Sequence, residues 1–415
     1  MSLPKSAKDV VILSACRTAI GTFGGALKDV RAPALASVVM KEAVRRANVD
    51  PTLIGDIRFG SCLEDPDALN QTRVAALMAG LPETVPAVTI NRVCTSGMEA
   101  VVSGMFMIKV GFADAVLAGG VESMSNVPYF VPSARWGARL QDTTMVDGII
   151  RGLHAGSHFV KYPKDGPVEA FRGKPYIMGA TAEFLARKYN ITREEQDEVA
   201  LRSHNNVERA TNDGSFKEEI VPVEVPGRKG AVTLFEKDEH FKPGLVMEGL
   251  SKLPPVFFPK DGTITAGNSS GINDGASALV IMSREKAVQL GLKPIARITG
   301  VGMGGNAPEY MGESPIPAVH DLLRRTGRKV SDYDLVEVNE AFAAQYVACE
   351  RLLGLDRKRV NVNGSGIGLG HPVGSTGSRI IVSLLHALRA HDKSLGMATL
   401  CGGGGVSIAT EVELE

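Results

Sequence analysis

The chain has 415 residues, of which 44% are hydrophobic and 22% are charged, enough apolar material to bury two or three packed units. Its 46 basic and 46 acidic side chains cancel to a formal net charge of +0, which argues against a nucleic-acid or anionic-membrane partner. The segment before Val10 has no apolar stretch, and no run of about 18 apolar residues follows, so neither a signal peptide nor a membrane span is expected.

The chain contains five cysteines, Cys16, Cys62, Cys94, Cys349 and Cys401, and none of them forms a C-x-x-C pair. The pattern therefore indicates neither a zinc site nor a dithiol redox motif, and we expect no metal site. These thiols do not make a disulfide framework in a chain of this length, which favours a reducing, cytoplasmic compartment.

In the first third of the chain, β-rich runs alternate with helical stretches. Strands are predicted at residues 10–14, 57–60, 87–90 and 115–118, and helices at residues 34–47 and 97–109. The second helix is apolar on nearly every side, which is typical of a buried helix. Alternation of this kind predicts an α/β fold with a mixed or parallel sheet and helical cover.

Residues 123–271 differ from that pattern. They hold many prolines and charged, turn-rich stretches, and firm helices are predicted only at residues 180–188 and 193–210. Thr192 starts the second helix with a good N-cap pattern. We interpret the segment as a loop-rich insertion over the α/β body, the kind of element that carries ligand contacts.

The last third repeats the opening order of elements. A helix is predicted to end at residues 322–325, strands to lie at residues 335–338 and 360–362, helices at residues 341–353 and 380–388, and a final strand at residues 397–400. This repetition indicates that one unit was duplicated, although any two α/β halves look alike at this level of detail.

Cys94 lies in the segment NRVCTSG (residues 91–97), between a predicted strand and the buried helix. A helix N-terminus stabilises a thiolate, so a nucleophilic cysteine with a lowered pKa is expected at this corner. A lone cysteine in a core is more often inert, and the motif alone leaves both interpretations open.

His371 lies in the glycine-rich segment GIGLGHPVG (residues 366–374), where Pro372 suits a first helical turn. A histidine there can act as the general base for a thiol, or it can cap a turn. If the halves are duplicated, a pseudo-twofold axis brings this corner to the Cys94 corner. Asn339, at the end of a predicted strand, can hold a water or a carbonyl, or it can cap a helix.

Cys401 directly follows the predicted final strand and precedes four consecutive glycines, residues 402–405. Backbone N–H groups in such a stretch can hold a developing oxyanion. The alternative is a flexible surface turn, which rarely needs an apolar strand and a thiol in front of it.

Together these motifs resemble the thiolase family over nearly the whole chain. The matching segments are CTSG from Cys94, GGVESMS from Gly119, NEAF from Asn339, GHP around His371, and CGGG from Cys401. The second cysteine distinguishes the pattern from ketoacyl synthases, which resemble thiolases in fold. The resemblance implies a duplicated αβαβα layered fold with a loop-rich insertion domain. Its parts would be a first half at residues 1–122 plus 272–295, a CoA-binding loop domain at 123–271, and a second half at 296–415.

The resemblance implies thiolytic cleavage of a 3-ketoacyl-CoA, or the reverse Claisen condensation, through an acyl-enzyme on Cys94. In that mechanism His371 takes the proton of Cys94, and Cys401 exchanges a proton with the α-carbon. One oxyanion site uses His371 and a water held by Asn339. The other uses the backbone N–H groups of Cys94 and Gly403.

The resemblance also implies CoA as a co-substrate and no permanently bound cofactor. By match to family positions, Arg228 would contact the adenine and Ser270 the pantetheine, while Met178, Met311 and Phe342 would form apolar walls near the thioester. Family members are generally dimers or tetramers, so a homodimer or homotetramer is expected. The unusual segment 151–174 leaves room for an accessory subunit.

Three departures from the family pattern bear on the acyl group. Ile177 stands where many acetoacetyl-CoA thiolases have a His, the run 151–174 is longer than in short-chain thiolases, and Ser365 and Gly368 replace more usual residues. They predict a pocket for a larger, branched or aromatic 3-ketoacyl group, as in fatty-acid or aromatic-compound degradation. Acetoacetyl-CoA thiolysis is the alternative. A non-catalytic acyl-CoA-binding subunit is another, although all four catalytic positions are filled.

Overall fold

The helices and strands of the chain are taken from a computed structural model, which describes residues 6–227 and 230–415. The helices in these ranges are α1 Ala32–Ala47, α2 Gln71–Met78, α3 Ser96–Lys109, α4 Gly148–Gly152, α5 Met178–Lys188, α6 Arg193–Asn212, α7 Met247–Ser251, α8 Arg284–Gln289, α9 Pro315–Thr326, α10 Ala343–Leu353, α11 Gly366–Leu369 and α12 Val373–Ala390. The strands are β1 Val10–Thr18, β2 Gly21–Thr22, β3 Ile54–Gly60, β4 Ala87–Ile90, β5 Ala115–Ser123, β6 Tyr129–Phe130, β7 Val146–Asp147, β8 Ile220–Val221, β9 Val223–Pro226, β10 Val232–Phe235, β11 Asn273–Ser283, β12 Ala296–Gly305, β13 Leu335–Val338, β14 Leu395–Gly402 and β15 Val406–Leu414.

The body of the molecule has five layers, and the predicted αβαβα arrangement is confirmed. One half-sheet has the strand order β4-β3-β5-β11-β1, and the other has the order β12-β15-β14-β13. Helices α3 and α12 lie between the half-sheets, α1 and α2 cover the first from outside, and α9 and α10 cover the second. Side chains of β1 alternate between layers, since Val11 packs outward with α1 while Ile12 packs inward with the central helices.

The two halves have the same topology, as the repeated order of elements predicts. In the first half β3 pairs parallel with β5, β5 antiparallel with β11, and β11 antiparallel with β1. In the second half β13, β14, β15 and β12 pair in the same succession and with the same directions. A short pairing of β1 with β12 over residues 10–12 joins the half-sheets. The Cys94 corner and the His371 corner therefore precede equivalent helices, α3 and α12.

Three predicted elements of the second half differ in the structure. The strand at residues 360–362 is reduced to one bridge between Val360 and Val336, because Asn361 turns the chain with φ 50° directly after it. Helix α10 begins at Ala343 rather than residue 341, since Phe342 is extended and forms a bridge with Ser269. The strand at 397–400 is not final: β14 runs on through Cys401, and β15 returns along it.

The insertion carries short elements around the firm helices α5 and α6. Thr192 and Glu195 form the predicted capping box at the start of α6. Beside α5, a cluster of aromatic rings holds the segment 151–174 against the body, through Tyr162, Phe171, Tyr176, Phe184 and Phe258. Within the described residues, no helix is long and apolar enough to span a bilayer.

Candidate active site

The two central helices cross in backbone contact, and this crossing brings the predicted catalytic corners together. A Cβ atom at Gly97 of α3 would lie 2.7 Å from the Ser378 Oγ atom and 2.9 Å from the Gly374 carbonyl oxygen of α12. A Cβ atom at Gly377 would lie 2.4 Å from the Met98 nitrogen. Only glycine permits such an approach, so the sequence at these positions sets the distance between the N-termini of both helices.

Cys94 sits in a tight turn between β4 and α3. The residue before it, Val93, has φ 53°, a left-handed conformation that a β-branched residue rarely adopts. The turn is held by the Ser96 hydroxyl, which accepts from the Arg92 N–H at 2.8 Å and donates to the Val93 carbonyl at 2.6 Å. The strained backbone directs Cys94 into the interior, where its side chain is 3% exposed.

The expectation of a lowered Cys94 pKa is wrong for this state of the site. Burial raises the pKa of the thiol to about 11, against a lowering hydrogen bond from the Gly403 N–H and a further raising effect of Glu122. Desolvation of the charged form therefore outweighs the favourable helix terminus. At neutral pH Cys94 is a thiol, and a base has to remove its proton.

His371 supplies a neutral imidazole at the matching corner. Its backbone N–H donates to the Asn273 Oδ1 atom at 2.9 Å, and its Nδ1 atom lies 2.6 Å from the Thr376 hydroxyl. Burial, together with the charge of Arg379, lowers the pKa of His371 to about 3. The ring is therefore uncharged over the working range of most enzymes, and one of its two nitrogens has a free lone pair.

Cys401 and Gly403 reach the same place from the β14–β15 hairpin. Cys401 is 1% exposed, and burial first, then the nearby Cys94, raises its pKa well above that of a free thiol. The Gly403 N–H donates to the Cys94 thiol. A Cβ atom at Gly403 would lie 2.7 Å from the Ala155 Cβ atom and 3.0 Å from the Val93 side chain. The hairpin can therefore approach Cys94 this closely only because residue 403 is a glycine. The hairpin is packed against the site, not a flexible surface turn.

Asn339 follows β13 and is fully buried. It does not cap α10, whose N-cap is Phe342. Among the described residues its side-chain Oδ1 and Nδ2 atoms have no hydrogen-bond partner. A buried amide in this condition is unusual in a folded protein and points to a polar ligand or water at this position.

A cavity of about 260 Å³ connects these elements. Cys94, His371 and Cys401 line its floor, while Ser270, Met178, Met311 and Phe342 line its walls. The structure thus brings together all but three of the ten predicted site residues along one cavity. Gly403 does not line the cavity but donates to Cys94, which does, and Asn339 lies two residues before the lining residue Ala341. Arg228 is outside the described residues.

A second compartment of about 170 Å³ adjoins the cavity and is also lined by Cys94. The compartment and the main cavity share Cys94, Met124, Leu153, Met178 and Val373, and the compartment extends further along Cys62, Leu63, Asn91, Val93, Gly152 and Ala155. The main cavity and the compartment therefore adjoin each other at Cys94 and its neighbours.

The three departures from the family pattern fall at different distances from the cavity. Ile177 lines it, and the segment 151–174 contributes Gly152, Leu153 and Ala155 to the cavity or the compartment. The aromatic residues Tyr162 and Phe171 belong instead to the cluster behind α5. Ser365 and Gly368 line neither space: a Cβ atom at Gly368 would lie 2.6 Å from the Ser203 carbonyl of α6, so this glycine serves helix packing.

Two contributions to the site were missed in the sequence. Phe257 lines the cavity, packed 6.4 Å from the Phe342 ring, and nothing in its loop distinguishes it from Phe258 beside it. Glu122 is buried and joins the halves: its carboxylate accepts from the N–H groups of Cys62 at 2.8 Å and Gly374 at 2.9 Å. The position of Glu122 in the family-matching motif GGVESMS was the sequence signal that could have identified this residue.

Fold and site are those of an acyltransferase built from two halves of the same topology, with two buried cysteines and a histidine along one cavity. Two family models match the chain, "Thiolase, N-terminal domain" over residues 10–285 and "Thiolase, C-terminal domain" over residues 292–414. The chain belongs to the thiolase family. It is an enzyme of the acetyl-CoA C-acyltransferase type, for which CoA is a substrate.

Named relatives cover almost the full chain. A protein named beta-ketothiolase BktB from Cupriavidus necator is 45% identical over 407 residues, 98% of this chain and 99% of that protein. An acetyl-CoA acetyltransferase from Escherichia coli K12 is 46% identical over the same shares of both chains. Among solved structures, the Bacillus anthracis acetyl-CoA acetyltransferase has a TM-score of 0.91 at 46% identity, covering 98% of this chain and 99% of its own. Human mitochondrial 3-ketoacyl-CoA thiolase has a TM-score of 0.90 at 40% identity, covering 99% and 100%.

Proposed function

We propose that this thiolase cleaves 3-ketoacyl-CoA thioesters whose transferred acyl group is larger than acetyl, branched or aromatic, and carries no charge. The observation that carries the proposal is the compartment of about 170 Å³ beyond Cys94. The carbonyl carbon attacked by Cys94 bears the acyl substituent, so that substituent extends from the sulfur away from the CoA moiety. With the CoA moiety in the main cavity, the compartment is the space that receives it.

The size and lining of the compartment match such a group. A cavity of about 150 Å³ lined by apolar side chains holds benzene, so a phenyl or branched alkyl group fits a space of this kind. Of the described residues that line it, Leu63, Leu153 and Met178 are apolar, and none of the lining residues carries a charge. A carboxylate at the end of the acyl chain would lose its hydration there without a partner, which disfavours it strongly.

The proposed steps of thiolysis follow from the protonation states of the residues on the cavity floor. His371, neutral at neutral pH, takes the proton of the buried Cys94 thiol as that sulfur attacks the keto carbon. The carbon–carbon bond breaks, and the acetyl-CoA carbanion takes a proton from Cys401. Free CoA then gives its thiol proton to the Cys401 thiolate and attacks the acyl group, and the departing Cys94 thiolate takes back the proton held by His371. The Gly403 N–H, which already donates to Cys94, is placed to hold one oxyanion with the Cys94 N–H.

Other residues of the site contact the ligands, and the chain assembles with copies of itself. Asn339, with both polar side-chain atoms unbonded among the described residues, holds the water of the second oxyanion site beside His371. Ser270 contacts the pantetheine arm along Met178, Met311 and Phe342, and Arg228 contacts the adenine. A homodimer or homotetramer is proposed, and the five free cysteines support a reducing cytoplasm.

Acetoacetyl-CoA thiolysis is the second candidate, because several relatives at about this level of identity carry the name acetyl-CoA acetyltransferase. In that case the compartment is not used, since the transferred acetyl group ends near Cys94. The two candidates differ only in what the compartment holds, so substrate size separates them.

The deciding experiment compares thiolysis of four thioesters by the purified full chain: acetoacetyl-CoA, 4-methyl-3-ketopentanoyl-CoA, benzoylacetyl-CoA and 3-ketoadipyl-CoA. Because each buried methylene contributes about 0.8 kcal/mol, we expect kcat/KM for the branched or aromatic thioester to exceed that for acetoacetyl-CoA about tenfold or more. The acidic thioester should be the poorest of the larger three. Equal or better turnover of acetoacetyl-CoA selects the second candidate. Absence of any Cys94 adduct by mass spectrometry selects a non-catalytic acyl-CoA-binding subunit.

A further inference from the structure

The Thr376 side chain lies behind the catalytic imidazole, one turn into α12. Its hydroxyl oxygen is 2.6 Å from the His371 Nδ1 atom and 3.0 Å from the Pro372 carbonyl oxygen. Thr376 is fully buried, and it is not among the described residues that line the cavity or the compartment. It can therefore affect a reaction only through His371.

We propose that Thr376 is a positioning residue that selects the tautomer of His371, by accepting from the Nδ1–H group and leaving Nε2 as the bare nitrogen that faces Cys94. The proposal rests on the proposed role of His371 as the base of Cys94. It adds a residue whose hydroxyl decides which ring nitrogen can serve as that base.

The two hydrogen bonds of the Thr376 hydroxyl lead to this assignment. A hydroxyl has one proton to donate, and a carbonyl oxygen can only accept. With the Thr376 proton directed to the Pro372 carbonyl, the same oxygen can only accept from Nδ1, which must then carry the hydrogen. A neutral imidazole has one N–H, so Nε2 keeps a free lone pair.

The surroundings of His371 hold the ring in place and keep it neutral, so its reactivity depends on which ring nitrogen carries the hydrogen. Asn273 holds the His371 backbone N–H, and the ring cannot turn away from Thr376 without breaking the hydrogen bond at Nδ1. The groups that face this corner are the guanidinium of Arg379 on α12, the carboxylate of Glu122 on β5 through the Gly374 N–H, and the thiols Cys94 and Cys401. Burial lowers the pKa of the imidazole most, and of these groups only Arg379 lowers it further, so both favour the neutral ring.

The test compares Thr376→Val with Thr376→Ser in the full chain. Valine keeps the branched shape but leaves a buried Nδ1–H without an acceptor, so the proton moves to Nε2 and the base is lost. We expect kcat and the rate of Cys94 alkylation by iodoacetamide at pH 7 to fall roughly 10- to 100-fold, with KM for the 3-ketoacyl-CoA within about twofold. Serine keeps the hydroxyl and should stay within about threefold of the unchanged chain.

A matched control is Thr410→Val on β15. This threonine is also fully buried, and its hydroxyl has no hydrogen-bond partner among the described residues. The Thr410→Val variant should react with iodoacetamide at Cys94, and turn over substrate, at the rates of the unchanged chain. Nitrogen-15 NMR of histidine-labelled protein, assigned with His371→Asn, reports directly which ring nitrogen carries the hydrogen and should show Nδ1–H.

Several outcomes would overturn the assignment. They are a Val variant with the unchanged alkylation rate, a Ser variant as impaired as the Val variant, and an Nε2–H signal in the unchanged chain. If the Val variant does not fold, the Ser variant and the NMR signal still decide. Alkylation requires no acyl substrate, so the outcome does not depend on which thioester is preferred. A Cys94 no more reactive than Cys16 in the unchanged chain would instead remove the proposed function itself.

Discussion

The floor of the site and the wall of its acyl compartment are built by different means. The floor consists of the proposed catalytic residues Cys94, His371, Asn339 and Cys401. They lie at the ends of elements of the two equivalent halves, and each is at most 5% exposed. The acyl wall, Leu63, Gly152, Leu153, Ala155 and Met178, comes from loops and the insertion and is set by the size of side chains. We therefore expect the floor to determine which reaction occurs and the wall to determine which acyl group takes part.

Removing the nucleophile should have the largest effect. Cys94→Ser replaces the thiol with a hydroxyl that His371 cannot deprotonate easily, and thiolysis should fall by at least about 10⁴-fold for every thioester. Cys16→Ser is the matched control, because that thiol is also buried but bonds only the Val39 carbonyl, which a hydroxyl can do as well. Steady-state thiolysis, together with mass spectrometry of the acyl-enzyme, measures both. Substantial turnover by the Ser variant would contradict the assigned role of Cys94.

Asn339→Ala should reduce kcat about 10²- to 10³-fold while leaving the stability of the fold unchanged or slightly higher. An oxyanion-site donor typically contributes about 3–4 kcal/mol to the transition state. Its amide bonds no described residue, so its removal costs the folded state no hydrogen bond. Kinetics and urea unfolding of the same preparation separate the two effects.

The control is Asn361→Ala, which should show the reverse pattern. Asn361 donates to the Val338 carbonyl and to the Glu340 carboxylate, and accepts from the Val338 N–H. Its loss should destabilise the fold by about 2 kcal/mol or more. An Asn339 variant that loses stability but keeps kcat would show that this residue supports the fold rather than the reaction.

The same contrast explains what could be predicted from the sequence. Cys94, His371 and Cys401 stand in short motifs at strand and helix ends, and the repeated order of elements placed the first two at equivalent corners. Their burial could not be read in the same way, because desolvation depends on what packs over them from the other half. That is why the expected helix-terminus effect on Cys94 was outweighed.

Two residues that line the cavity or the compartment could not be predicted from the sequence, for a physical reason. Leu63 and Phe257 reach the cavity through loop conformations that depend on distant packing, and neither stands in a periodic or capped segment. Residues 360–362 show the same limit in the fold: two β-branched valines predict a strand, but the left-handed Asn361 between them ends the pairing after Val360. Sequence pattern therefore identified the floor, Met178 and the segment 151–174, but not Leu63 or Phe257.

Acidification should weaken the contact between the insertion and the floor. His204 of α6 and His240, packed with rings 6.4 Å apart, have pKa values lowered from 6.5 to about 4, mainly by burial and then by each other or by Lys242. His240 also bonds the Ile367 backbone, near His371. Since the folded pKa is below the unfolded one, stability is fully present above pH 6.5 and is lost as the pH falls toward 4. Each imidazole should remove about 2 kcal/mol by pH 5.

Urea unfolding at pH 7 and pH 5 measures this loss. The double variant His204→Gln and His240→Gln should show a clearly smaller difference between the two pH values than the unchanged chain. His320→Gln serves as the control because this exposed histidine lies on α9, away from the pair. Equal pH slopes in the double variant and the unchanged chain would assign the acid sensitivity to other groups.

Filling the acyl compartment should have the smallest effect and the most selective one. Leu63 lies against Gly152 and lines the compartment without lining the main cavity, so Leu63→Phe narrows the space beyond Cys94 only. We expect kcat/KM for benzoylacetyl-CoA to fall about tenfold, equivalent to about 1.4 kcal/mol, while acetoacetyl-CoA stays within about threefold.

Leu63→Met conserves volume and should leave both substrates nearly unchanged. A Phe variant that slows both thioesters equally would mean that Leu63 acts on the floor, through the Glu122 carboxylate that accepts from its N–H group. Selective loss of the bulky substrate, with Cys94 acetylation intact, would instead show that wall and floor can be changed independently. The acyl preference of this thiolase would then be set by loop residues that the duplicated core leaves free to vary.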